Sequence, residues 1–159
     1  MKKNISLMIF GILLISCSNE DDEGIDCPLQ FDMAFPALYI KLIDSNGNNL
    51  IENGMIDPSE IVIQQGEGFR FNPANEDINP TSEIREFDNT IQLYIQEELA
   101  EYVIQLNENE TIALKFTAEY TEIPCGGNYY IPTGVAYNNQ TIELREFYYL
   151  FYLVEVELQ

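Results

Sequence analysis

Thr111-Ile112-Ala113-Leu114-Lys115-Phe116-Thr117-Ala118-Glu119-Tyr120-Thr121 decides the fold class. Ile112, Leu114, Phe116 and Ala118 alternate with Thr111, Ala113, Lys115 and Thr117, the period of two expected of a strand with one buried and one wet face. The same period recurs outward in both directions. Upstream, Thr90 to Gln96 sets Ile91, Leu93 and Ile95 against Thr90, Gln92, Tyr94 and Gln96, and Glu101 to Leu106 is its expected partner strand. Downstream, Tyr129 to Tyr137 reads as a strand, Asn138 and Asn139 as a tight turn, and a further strand starts at Thr141.

Near the start of the folded region, Ala37 to Asp44 reads as a strand. Asn46-Gly47 turns it towards a short return at Leu50 and Ile51. Asp57, Pro58 and Glu60 have the N-cap, N1 and N3 chemistry of one helical turn, with extended structure resuming at Ile61. Ile61 to Gln65 and Phe69 to Phe71 flank Gly66, Glu67 and Gly68, which predicts a second hairpin. Asn72 to Glu83, with Pro73 and Pro80, predicts a long surface loop of the kind that carries recognition. Phe147 to Val154 is apolar or aromatic throughout, as in a central strand buried on both faces. Val154, Val156 and Leu158 then alternate with Glu155 and Glu157.

No stretch after the amino terminus keeps a helical stripe, so the fold class is all-β. About eight short strands joined by turns predict an antiparallel two-sheet sandwich, immunoglobulin-like or transthyretin-like, with a small closed β-barrel as the alternative.

The 159 residues carry a net charge of −20 and no histidine. That balance excludes nucleic acid as a partner, because phosphates demand a basic footprint. Without histidine, imidazole-based catalytic triads, zinc sites and haem ligation are excluded as well. Neither a cofactor nor a metal is expected. Asp44, Asn46, Asn48 and Asn49 space oxygen donors like a calcium loop. The sixth and twelfth positions, however, are Asn49 and Met55 where glycine and glutamate are required, and a hairpin turn accounts for the same residues.

The amino terminus has its own logic. Lys2 and Lys3 precede an apolar stretch from Ile5 to Ile15, a length that suits a signal peptide and is short for a bilayer span. Leu14-Ile15-Ser16-Cys17 resembles the lipobox of bacterial lipoproteins, which implies cleavage before Cys17 and lipidation of that cysteine. Ser18, Asn19, Glu20, Asp21, Asp22 and Glu23 resemble the acidic export signal of Bacteroidota lipoproteins. That resemblance implies passage to the exterior face of the outer membrane, with a simple acidic spacer and periplasmic retention as the competing reading. The expected organisation is a signal over 1–16, a lipidated acidic tether over 17–26 and one domain over 27–159. Removing Cys17 from the count leaves Cys27 and Cys125, an even pair in an oxidising compartment, and predicts a disulfide between them.

Taken together, the lipobox, the acidic tether, Leu42-Ile43-Asp44-Ser45-Asn46-Gly47-Asn48-Asn49-Leu50-Ile51, Asn89-Thr90-Ile91, Thr111 to Thr117, Cys125-Gly126 and Tyr137-Asn138-Asn139 resemble small uncharacterised lipoproteins of flavobacteria. The resemblance implies location and fold and supplies no catalytic residue. The expected role is therefore a lipid-anchored, non-enzymatic surface module that binds an external glycan or protein. A structural subunit of an outer-membrane protein assembly is the second reading. A carboxylate-dependent glycan hydrolase is the third, since paired acids are the minimum apparatus for that chemistry. Flat aromatic faces suit sugar rings, which makes Tyr129, Tyr130, Tyr148, Tyr149 and Tyr152 the ligand-binding residues to examine.

Overall fold

The computed structural model describes residues 35–64, 69–123, 127–148 and 150–158. The predicted lipidation site Cys17, the acidic run Ser18 to Glu23, the Cys27–Cys125 pair and Tyr149 lie outside the described residues.

The described chain is an all-β sandwich of two five-stranded sheets that do not close into a barrel. Its strands are β1 (Ala37–Ile43), β2 (Val62–Ile63), β3 (Arg70–Asn72), β4 (Thr90–Leu93), β5 (Leu99–Gln105), β6 (Thr111–Ile123), β7 (Gly127–Tyr137), β8 (Gln140–Ile142), β9 (Leu144–Tyr148) and β10 (Phe151–Glu157). One sheet runs β3-β4-β1-β10-β9 and the other β2-β5-β6-β7-β8. All neighbours are antiparallel except β1 and β10, the first and last strands, which pair in parallel at the centre of their sheet.

Alternation works as expected where a strand has one wet face. Ile112, Leu114 and Phe116 are buried while Thr111, Ala113, Lys115 and Thr117 are exposed. They meet Leu38, Ile40 and Leu42 of β1 and Tyr152, Val154 and Val156 of β10 in one core between the sheets. Asp57 caps its turn as predicted, accepting a hydrogen bond from Ser59 N at 2.8 Å. Asn138 and Asn139 adopt φ of 51° and 61°, the left-handed pair that a two-residue hairpin demands. A Cβ-bearing side chain without the local hydrogen bonding of asparagine is strained there, so Asn139→Ala should lower stability by about 1 kcal/mol. Asn139→Gly should not, and thermal unfolding of the two variants compares them directly.

Several pairings depart from the sequence reading. β2 and β3 do not form a hairpin with each other: they are edge strands of different sheets. β4 and β5 are likewise not partners. β4 joins β1 and β3, while β5 joins β2 and β6, and the chain changes sheets over Tyr94–Glu98. Leu50 and Ile51 form a turn rather than a return strand, with one isolated bridge from Ile43 to Asn49. The apolar run from Phe147 is broken into β9 and β10 by a turn in which buried Leu150 takes a φ of 66°. β8, an edge strand of one sheet, passes directly to β9, an edge strand of the other, through Glu143.

The wet face predicted for β4 is also absent, because Thr90, Ile91, Gln92 and Leu93 are all buried. A second apolar cluster covers the outer face of this sheet. Phe87, at the end of the 3₁₀ segment Glu83–Phe87, packs on Tyr39 and Leu153, with Phe147 and Phe151 around it. The Phe87 ring lies 4.4 Å from that of Tyr39 and edge-on to Phe147 at 5.4 Å.

Candidate functional site

β6 and β7 outrun their sheet. β5 accompanies β6 only as far as Thr117 and β8 accompanies β7 only from Val135, so among the described residues 119–123 and 127–131 pair with each other alone. The result is a two-stranded ribbon that overhangs one end of the sandwich. A register shift between Thr117 and Ala118 starts the ribbon. Opposite it, Gly134 leaves no room for a Cβ, which would lie 2.8 Å from Thr117 Oγ1. Ala118 N donates to Glu98 O at 2.8 Å, tying the base of the ribbon to the crossing between the sheets.

Beneath the ribbon lies a cleft of about 330 Å³, walled by Phe35, Tyr94, Gln96, Asn128, Tyr129 and Tyr130, with Pro36 and Ile95 completing it. Four of these eight residues are aromatic and none is charged. Tyr94 is 41% exposed yet held at both ends: its hydroxyl accepts from Gln92 Nε2 at 3.0 Å and its carbonyl accepts from the Tyr102 hydroxyl at 3.2 Å. Tyr130 is braced by Tyr120, edge-on at 5.5 Å, and the Tyr120 hydroxyl accepts from Asn128 Nδ2 at 3.0 Å. The wall is thus set before any ligand arrives, which spares binding the cost of ordering it.

Of the predicted tyrosines, this cleft brings together Tyr129 and Tyr130. Tyr148 is 42% exposed on β9 but does not line it. Tyr152 is corrected outright: it faces inward from β10, is 7% exposed and belongs to the main core, so it cannot meet a ligand at the surface. Tyr94 and Phe35 were missed. Tyr94 occupied a polar position in the alternation of β4, and the signal that could have marked it is an aromatic side chain where the pattern asks for a polar one.

A second and larger recess, about 860 Å³, is a polar groove between the 44–53 turn and the 83–88 segment. Its charges already serve one another: Lys41 Nζ lies 2.9 Å from Glu86 Oε2 and Arg85 Nε 2.9 Å from Asp88 Oδ2. Its most buried polar side chain, Asn49, is structural. Asn49 Nδ2 donates to Asn89 O at 3.1 Å and Asp88 O at 3.4 Å, while Oδ1 accepts from Ile51 N and Glu52 N. Truncation strands these backbone groups, so Asn49→Ala should cost about 2–3 kcal/mol. Urea denaturation reads this out, and a loss below about 0.5 kcal/mol, the scatter of ordinary surface changes, would refute the clamp.

Asp44, the first of the calcium-loop residues, spends both carboxylate oxygens on the turn. It accepts from Asn46 N, Asn48 N and Asn48 Nδ2 at 2.8–2.9 Å. The side-chain bond from Asn48 is the main reason its carboxyl sits below the ordinary range. Ser59 lowers Asp57 in the same way, and Lys41 lowers Glu86. These shifts run opposite to the raised pKa of a general acid. Among the described residues no three carboxylates or thiols converge to hold a metal ion.

Fold and cleft together define a β-sandwich with a preorganised, uncharged aromatic recess at one end. No protein family, curated protein or solved structure matches the chain.

Proposed function

We propose that this protein is a lipid-anchored binding module of the outer membrane, held through Cys17, carried to the cell exterior by its acidic tether, and contacting its ligand in the aromatic cleft without catalysing a reaction. The observation that carries this reading is the cleft itself: the braced rings of Tyr94 and Tyr130 beside an exposed Phe35, and an absence of charge among the described residues of the wall. Small-ligand sites are typically recesses with apolar walls and a few polar groups of this kind.

The Cys27–Cys125 disulfide belongs to the same proposal. Phe35 and Asn128 share the cleft wall. Cys27 precedes Phe35 by eight residues and Cys125 precedes Asn128 by three. An extended chain spans up to about 3.5 Å per residue, so segments of that length are long enough to allow the pairing. Non-reduced peptide mapping is expected to recover the linked pair.

The decisive experiment is recovery of the lipidated protein from its native membrane in mild detergent, with identification of what accompanies it. Cys17→Ala should leave the membrane fraction. Tyr94→Ala and Tyr130→Ala should stay in it but lose the bound component. A stoichiometric protein that both cleft variants retain would instead make this chain a subunit of an outer-membrane assembly.

A further inference from the structure

We propose that the cleft takes an organic ammonium group, an alkylated cation presented either as a free small molecule or on a lipid headgroup. This deepens the binding-module reading and rests on the cleft being its ligand site.

Charge makes the first selection. Among the described residues no lysine or arginine lines the cleft, and the chain carries a net charge of −20, so an anionic ligand would find no cationic partner among them and would be repelled on approach. A cation is drawn in by the same field. A metal ion is a poor fit, because divalent cations want several hard oxygen ligands and the described residues of the wall offer no carboxylate. An alkylated ammonium differs: it sheds water readily and gains from the negative faces of aromatic rings.

The wall supplies four aromatic residues, Phe35, Tyr94, Tyr129 and Tyr130. A neutral sugar would also profit from aromatic rings, but it needs several directional hydrogen bonds. The amide side chains in the wall are Gln96 and Asn128, and Asn128 already donates to Tyr120. Glu97 follows the wall residue Gln96 directly in the chain, so a carboxylate comes next to the wall in sequence.

The test uses the full-length protein in a sugar-free non-ionic detergent. It contains ten tyrosines and no tryptophan, so tyrosine emission is read without a tryptophan background, and the loss of the ligand-induced change in the cleft variants assigns that change to the cleft. Choline is titrated beside 3,3-dimethyl-1-butanol, which keeps the shape and replaces the charged nitrogen with carbon. Choline should saturate and bind about tenfold tighter than the alcohol, the scale of a partly desolvated cation–π contact. Added salt should weaken it.

Tyr94→Ala and Tyr130→Ala should each weaken choline about tenfold, with circular dichroism showing that they remain folded, whereas Tyr94→Phe keeps the ring and should keep the affinity. Glycerophosphocholine distinguishes the source: tighter binding than choline indicates a headgroup, equal binding a free cation. Equal affinity for choline and its neutral analogue, no saturable choline binding, or full affinity in both alanine variants would overturn the proposal. If choline fails while the membrane-recovered protein still loses a bound component on Tyr130→Ala, the ammonium assignment falls and the binding module stands.

Discussion

A chain ending at Leu150 is expected not to fold. The loss removes β10, an interior strand of its sheet that lies between the central strand β1 and the edge strand β9. Tyr152, Val154 and Val156 leave the core between the sheets, and Leu153 leaves the outer aromatic cluster, every one of them under a tenth exposed. Burying each such side chain contributes about 1.5–3 kcal/mol. Four together approach the whole net stability of an ordinary domain, about 5–15 kcal/mol. β1 would also lose the parallel partner that matches it from Ala37 to Ile43, leaving a row of backbone groups without hydrogen bonds. Near-ultraviolet circular dichroism and limited proteolysis should show a disordered chain. A cooperative unfolding transition in the truncated protein would disprove the central role of β10. Glu155→Gln, on the same strand but solvent-facing and paired only with Arg145 at the surface, should stay within about 0.5 kcal/mol of the parent.

Phe116→Ala is expected to destabilise the sandwich by about 3–5 kcal/mol, the range for deleting a buried aromatic ring and leaving a cavity. Phe116 is fully buried in β6, and its ring meets Tyr102 edge-to-face at 5.4 Å. Its loss therefore weakens β5 as well as β6. Equilibrium urea unfolding should show a lower midpoint with an unchanged slope. Lys115→Ala, one residue away on the wet face, should move the midpoint little. A loss below about 1 kcal/mol at Phe116 would mean that the core relaxes around the gap, contrary to its close packing.

The aromatic cleft was only half legible. Tyr129 and Tyr130 stand in a strand whose apolar content is plain, but nothing local says that β5 and β8 stop short of that part of the ribbon. Whether a tyrosine wets its face or pins a core depends on what crosses over it. Tyr130 and Tyr152 have similar neighbours in sequence, and the first lines the cleft while the second is sealed between sheets. Phe35 and Tyr94 become site residues only because the entering chain and the β4–β5 crossing reach the same end of the sandwich.

The sequence by itself determined the all-β class, the inward set of β6, the capped turn at Asp57 and the left-handed Asn138–Asn139 reversal. Each follows from periodicity, or from backbone angles that few residues tolerate, and both act within a few residues. Tertiary structure alone decided the sheet assignments, because a turn signal states that the chain reverses and not whether the next strand rejoins the same sheet. It decided the parallel pairing of the first and last strands, which depends on hydrogen bonds across more than a hundred residues. It also decided the burial of the polar face of β4: β1 and β3 flank the strand on both sides, Thr90 Oγ1 donates to Phe87 O and Gln92 Nε2 to the Tyr94 hydroxyl, and alternation within a strand registers none of these.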